Sequence, residues 1–504
     1  MKKILYVILC CLFMTAAFTG CGGNEKSASG AAKHLNLGLY WFGESMDPAH
    51  EWDGWTIVRI GAGETLVTVT DKMEFKGQLA DKWENVEPTT WKFHIREKVK
   101  FQNGDDMTPE LVKASLDRTL KMNAIVKKSA DIKEIRVEGQ NIIIETNKPN
   151  VSLLAAMTEP AFSIIDTKAD IDKAASAPIL TGPYMVTGFT KNQEVQLKRN
   201  EYYWDGKPGL DTLTVKNIED NTKRAMSLQS GELDLMQRVD SASRSLFEND
   251  KYKIYETVGT RVFMLTVNYD GILADHSLRR ALAYAVDYEA IAKIEGNGAV
   301  AAGEIFPPTV PYGHVKNKMK MDMAKAESLF KEAGCTEKNG EGIYVKDGRP
   351  LTLKLAVWGS KTAMYEAIQA QLRKAGVNVE IMRVQNADAA VAAGGFDLLE
   401  QNWITVPTND PYLFVNQVFR SGHKANRGKY VNADVDQILD RYPMVFDDKE
   451  KDGMISEIAE KVIADAPVLF LAFPANNLVG ASKVKNVPVF PIDYYVMTKD
   501  ITVE

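Results

Sequence analysis

Alternating apolar and polar positions mark Trp91-Lys92-Phe93-His94-Ile95 as a half-buried strand. Thr108-Pro109-Glu110 then reads as a helix start, with threonine at the cap and proline at the first position, and the amphipathic run continues to Leu120. Between them Asn103-Gly104-Asp105 is turn chemistry, and Ile132 to Lys148 predicts two short strands around Glu138-Gly139. In the second half, Ser277 to Lys293 predicts one amphipathic helix, and Asp322 to Ala333 another, ended by Gly334. Leu351 to Val357 reads as a strand, Thr362 to Ala375 as a helix closed by Gly376, and Val377 to Arg383 as a strand. That order predicts a crossover onto a parallel sheet.

The amino terminus breaks this pattern. Lys2 and Lys3 precede an unbroken apolar run from Ile4 to Met14, about 11 residues, too short to cross a bilayer core of about 30 Å as a helix. Residues 1–20 therefore read as a signal peptide. The ending Phe18-Thr19-Gly20-Cys21 resembles a lipobox, which makes Cys21 the expected lipidation site, with plain secretory cleavage nearby as the other reading. Residues 21–34, rich in Gly, Ser and Ala, read as a flexible tether. Cys335 is the one cysteine left after Cys10, Cys11 and Cys21, so the folded body forms no internal disulfide.

With 504 residues, the chain is long enough for two or three domains. Hydrophobic residues make up 45% and charged residues 25%, the balance of a soluble globular body. The net charge of −6, without a basic block, argues against nucleic-acid binding. H-E-x-x-H, P-loop, G-x-S-x-G and G-x-G-x-x-G motifs are all absent, and the 6 histidines show no metal-ligand spacing. No motif points to an enzyme, although catalytic residues far apart in sequence would leave none.

From about Leu35 to the C-terminus the chain resembles a known family, on blocks that begin at Leu79. Leu79-Ala80-Asp81-Lys82-Trp83-Glu84, the segment from Trp91 to Leu120, Thr181-Gly182-Pro183-Tyr184, Arg199 to Trp204, Ala225 to Leu235 and Leu278 to Ile291 resemble, in order, blocks of the family 5 extracellular solute-binding proteins. These are the peptide and nickel receptors of ABC importers. The resemblance implies an α/β fold of the two-lobed periplasmic-binding-protein type (type II, class C), closing on ligand like a hinged trap. It places lobe I at about 35–270 plus 475–504, with a subdomain at about 85–190, and lobe II at about 271–474. The expected crossings are Leu265-Thr266-Val267-Asn268 and Leu471-Ala472-Phe473-Pro474. It further implies a monomer on the outer face of the cell membrane, or in the periplasm where there is an outer membrane. The implied partners are a permease and its ATPase subunits.

The segment Trp403 to Tyr430 bears on the ligand. Peptide receptors of the family place an aspartate three residues after the matching tryptophan, to pair with the peptide ammonium; here Val406 stands there. The nickel branch also lacks that aspartate. It carries a histidine thirteen residues after the aspartate of a D-P turn, and an arginine ten residues after it, the spacings of His423 and Arg420 from Asp410. The resemblance thus points first to a nickel or other transition-metal chelate, with no intrinsic cofactor, and implies His423 as a metal ligand. A surface or cleft side chain is the alternative for His423. An oligopeptide or dipeptide is the alternative ligand, its ammonium then needing another carboxylate such as Glu44 or Glu64, and an extracellular enzyme is the remote one. The arginines that hold chelator carboxylates in the nickel branch have no counterpart in Lys121 to Lys133 or Glu159 to Ile164. Arg59 and Arg420 are therefore candidates for a clamp from opposite lobes. Trp41, Trp52, Trp55 and Trp403 are candidate aromatic walls, and Asn426 belongs to the same candidate binding loop as His423.

Overall fold

The computed structural model describes residues 32–359 and 362–504; the expected signal peptide, Cys21 and the tether as far as residue 31 lie outside them. Three larger sheets carry the α/β fold. A seven-stranded sheet runs in the order Tyr252–Val258, Ala475–Ala481, Leu235–Gln237, His34–Leu39, Thr212–Asn217, Glu194–Arg199, Tyr184–Thr190. His34–Leu39 is parallel to both of its neighbours. A six-stranded sheet runs Val300–Ala301, Val468–Phe473, Arg261–Val267, Leu398–Ile404, Thr352–Val357, Asn378–Arg383. These two sheets are the frameworks of two lobes. A four-stranded antiparallel sheet, Ala80–Glu87, Thr90–Ile95, Asn141–Thr146, Ile132–Glu138, forms a subdomain with its own apolar core.

Local chemistry explains most of these elements. Thr108 accepts from the Leu111 N–H at the start of helix Pro109–Met122, and Asp322 caps Met323–Glu332 in the same way. Thr352–Val357 and Asn378–Arg383 pair in parallel, joined by helix Thr362–Ala375. The single helix expected from Ser277 to Lys293 is instead two, His276–Ala285 and Tyr288–Glu295. Val286 turns extended, and the Asp287 carboxylate accepts from the Ala290 N–H, so an aspartate inside the expected helix caps a new one.

The chain passes between the two large sheets earlier than expected. Leu265–Val267 lies within Arg261–Val267, a central strand of the six-stranded sheet whose residues from Val262 onward are buried; a strand covered on both faces cannot serve as a free linker. The passage falls at Gly259-Thr260, and the return at Pro474. The two crossings touch: the Gly259 N–H donates to the Pro474 carbonyl at 2.9 Å. Tyr184–Thr190, expected in the subdomain, is an edge strand of the seven-stranded sheet, and the subdomain sheet begins at Ala80.

Direct hydrogen bonds join the lobes beside the cleft. The Tyr494 hydroxyl donates to the Pro407 carbonyl at 2.6 Å, and the Asn409 side-chain amide to the Met73 carbonyl at 2.8 Å. On the subdomain side, the Val151 N–H donates to the Pro443 carbonyl at 3.2 Å.

Candidate functional site

The short helix Gly54–Arg59 supplies one wall of this cleft. Asp53, just before it, accepts from the Glu44 and Ser45 N–H groups and pairs with His50, which fixes the approach loop. Gly54 lets the helix sit directly on the next layer: a Cβ there would lie 2.6 Å from the Pro160 carbonyl carbon. That close approach brings the Trp55 indole N–H to 2.9 Å from Glu159 Oε1. Trp55 also stacks edge-on with Trp52 at 5.4 Å and lies 5.3 Å from the Tyr494 ring, which is followed by Tyr495 at 4.8 Å. Trp52 is 44% exposed at the rim.

One helical turn beyond Trp55, Arg59 is fully buried, at 0% exposure. Its Nε reaches the Asp493 backbone carbonyl at 3.4 Å, and its Nη2 lies 3.9 Å from Asp493 Oδ1. Neither Nη1 nor Nη2 has a hydrogen-bond partner. The rings of Tyr40 and Trp41 lie 5.4 and 5.9 Å from the guanidinium carbon. Arg238 approaches the same carboxylate from the end of Leu235–Gln237: its Nη2 donates to Asp493 Oδ2 at 2.6 Å, over the Tyr40 ring at 3.9 Å. The Tyr40 hydroxyl donates to Asp493 Oδ2 at 3.2 Å. Arg261, at the first crossing, donates to Asn402 Oδ1 at 2.8 Å, so it ties this group to the six-stranded sheet.

Three guanidiniums thus face one carboxylate. Burial works against ionisation of Asp493, but the charges of Arg238, Arg59 and Arg261 outweigh it and hold the carboxyl down at about 2. Burial lowers Arg261, and the neighbouring Arg238 and Arg59 lower it further, with Asp493 opposing. The gathering of positive charge, and the two Nη groups of a buried arginine without hydrogen bonds, make this a place for an anionic ligand group. At the other end of the helix burial pushes Glu159 up to about 7, against hydrogen bonds from Trp55 and the Ala161 N–H.

Of the sequence candidates, Arg59, Trp52, Trp55 and Trp41 come together here. Trp403 sits next to Asn402, but its indole N–H donates to Gln401 and its ring packs 6.1 Å from Phe414, in the lobe II layer. Arg420 is committed elsewhere: Nε donates to Asn416 Oδ1 at 2.6 Å and Nη1 to Asp440 Oδ1 at 2.7 Å, whereas Arg59 faces Asp493. The clamp read from the sequence gives way to a cluster around Asp493. His423 Nδ1 accepts from the Ala425 N–H at 3.1 Å, which uses the lone pair a metal would need at that nitrogen. Burial lowers its pKa, as do Lys128, Lys424 and Arg420, with the Gln417 carbonyl opposing. The Asn426 amide closes its own loop, donating to the Arg420 and Tyr430 carbonyls and accepting from the Tyr430 N–H. Val406 is fully buried, and Glu64 is held by Tyr203 and Trp204. Arg238, Arg261, Asp493 and Glu159 were missed. They lie far apart in sequence, and only Pro491-Ile492-Asp493-Tyr494-Tyr495, an acid flanked by aromatics, carries a local signal.

Two lobes, two crossings and a charged, aromatic cleft between them define a receptor that closes on a small solute. The sequence profile of the bacterial extracellular solute-binding proteins, family 5 (middle region), matches residues 74–426, and the chain belongs to that family. It is 28% identical over 491 residues to the nickel-binding protein NikA of Staphylococcus aureus, covering 96% of each chain. Among solved structures, a nickel ABC transporter protein from Bacillus halodurans superposes with a TM-score of 0.84 at 28% identity, covering 94% of this chain and 100% of that one. NikA from S. aureus in complex with Ni(L-His)2 superposes with a TM-score of 0.76 at 27% identity, with the same coverage of 94% and 100%.

Proposed function

We propose that this protein is the substrate-binding component of an ABC importer that captures a transition-metal chelate bearing carboxylates, with nickel first among the metals. The observation that carries the ligand class is the buried Arg59, with neither Nη group hydrogen-bonded, beside Arg238 and Arg261 around the Asp493 carboxylate at the meeting of the lobes. A chelator carboxylate there gains charge-assisted bonds of about 1.5–3 kcal/mol each. Among the described residues, no three His, Cys, Asp or Glu side chains gather to hold a bare ion, so the metal enters this reading as cargo wrapped in its own ligands. The similarity to nickel-binding relatives supports the same reading.

Family membership implies a permease and its ATPase as partners. Closure over the ligand is what such a permease reads, because loaded and empty receptors then differ in shape. Anchoring through Cys21 belongs to the same reading, and loss of membrane retention in a Cys21→Ala protein is the result expected for it.

The direct experiment is native mass spectrometry of the exported protein, purified without chelators. An adduct of a transition metal plus a small organic acid is expected. A ladder of peptide masses would overturn the metal reading in favour of peptide capture.

A further inference from the structure

Glu159 has no place in the function so far. It is a half-buried carboxyl walled by aromatic rings at the lobe interface, one helical turn along Gly54–Arg59 from the arginine cluster. Trp55 donates to it from the helix, the Ala161 N–H from its own segment, and Tyr494 and Tyr495 face it from the carboxy-terminal loop. Among the described residues no lysine or arginine is paired with it, in contrast to Asp493. Trp55 packs on Tyr494 at the edge of the apolar cluster that the two lobes share, and Tyr494 bonds to Pro407 of lobe II, so this carboxyl lies beside the meeting of the lobes.

We propose that Glu159 is a second recognition pole of the cleft, accepting an N–H from a positively charged ligand nitrogen. The inference rests on reading this cleft as the ligand site. A carboxylate beside Trp52 and Trp55 offers such a nitrogen both ion pairing and ring faces. The nitrogen is either a free ammonium or an amine coordinated to a metal, which keeps its N–H donors and shares the metal's charge. With carboxylate capture at Arg59, Arg238 and Arg261, the two poles select an amino-acid-like ligand, not a purely carboxylate one. Glu159 then supplies the amine anchor that Val406 cannot.

The chemistry includes a proton. Burial leaves the Glu159 carboxyl partly protonated near neutral pH, and a cation seated against it expels that proton to solvent. The two facing tyrosines do not share this titration: burial raises Tyr494 well above the ordinary phenol range and Tyr495 to about 12.

The test is calorimetry of the exported protein and its Glu159→Gln variant with three probes: nickel with L-histidine, nickel citrate, and trialanine. The amide oxygen introduced by the substitution can still accept from Trp55, and an unchanged melting temperature checks that the fold is kept. The expected result is at least a tenfold loss for the amine-bearing probe that the wild type binds, and less than a threefold change for nickel citrate. Proton release on binding, read from runs in buffers of different ionisation enthalpy, should vanish in the variant. Loss confined to nickel–histidine identifies a metal-bound amine, and loss confined to trialanine a free ammonium. Equal effects on all probes the wild type binds, or unchanged proton release, overturn the proposal alone. A wild type that binds none of the three overturns the cleft reading and the proposal together.

Discussion

Arg59 and Asp493 come from opposite ends of the chain and meet in the interior, Nη2 to Oδ1 at 3.9 Å, with Arg238 holding the other carboxylate oxygen at 2.6 Å. The pairing is unequal: Asp493, with Glu295 acting on Arg238, offsets part of three positive charges and leaves the rest for a ligand. Asp493 therefore has a structural task, keeping the arginines together while the cleft is empty.

Asp493→Asn should destabilise the protein at neutral pH by about 3–5 kcal/mol, the cost of leaving buried charges without their partner. The surrounding guanidiniums hold the Asp493 carboxyl at about 2, below the ordinary aspartate range. Its stabilising effect is thus complete above the ordinary carboxylate range and fades as pH falls from about 4 through about 2. Urea unfolding at pH 7 and pH 2.5 should show a wide gap between wild type and variant at the first and a narrow one at the second. A gap of equal width at both would show that the carboxylate charge is not the stabilising feature.

Gly54→Ala should lift the helix from Pro160, because the new Cβ meets backbone at 2.6 Å. Overpacking of this kind costs about 1–3 kcal/mol. The bond from Trp55 to Glu159 lengthens with it, and the tryptophan emission should move. A variant with native melting temperature and emission would mean that the helix can slide without cost.

Arg420→Ala and His423→Ala should leave ligand affinity within about twofold. Arg420 pairs with Asp440, whose side chain is 68% exposed, a contact worth about 0–1 kcal/mol to stability. Binding isotherms of both variants check this. A tenfold loss in His423→Ala would return the histidine to the role of metal ligand implied by its spacing from Asp410.

Tyr494→Phe removes one hydrogen bond between lobes, worth about 0.5–1.5 kcal/mol net, without changing the ring. The ligand-free variant should populate the open form more, with a larger radius of gyration by small-angle X-ray scattering. Ligand should restore the compact value. Identical scattering with and without the substitution would mean that this contact does not bias closure.

The elements most legible in the sequence were those whose caps and periods are local: Thr108 with Pro109, Asp322 with Gly334, and the strand–helix–strand from Thr352 to Arg383. The resemblance supplied the two-lobed plan; the first passage lies ahead of the expected Leu265-Thr266-Val267-Asn268, and the return lies at the last residue of the expected segment. The run Val262 to Val267, apolar but for Thr266, is a buried central strand, and Gly259 carries no pattern of its own beyond being a glycine. At the site, Arg59 and Trp55 were readable because they share a short aromatic-rich segment. Arg238, Arg261 and Asp493 were not, since a charge cluster made by three distant elements leaves no spacing in the chain. His423 and Arg420 show the converse: their spacing from Asp410 fits the nickel branch, while His423 Nδ1 and the Arg420 guanidinium bond within their own loop and the adjoining helices.

The most direct measurement is the position of nickel in crystals of the exported protein grown with nickel and L-histidine, located by anomalous scattering at the nickel edge. The account predicts one strong peak in the cleft between the Arg59–Arg238–Arg261 cluster and Glu159, with chelator carboxylate oxygens on the guanidiniums. A peak on His423 in its lobe II loop, or a cleft filled by peptide density without metal, would contradict it.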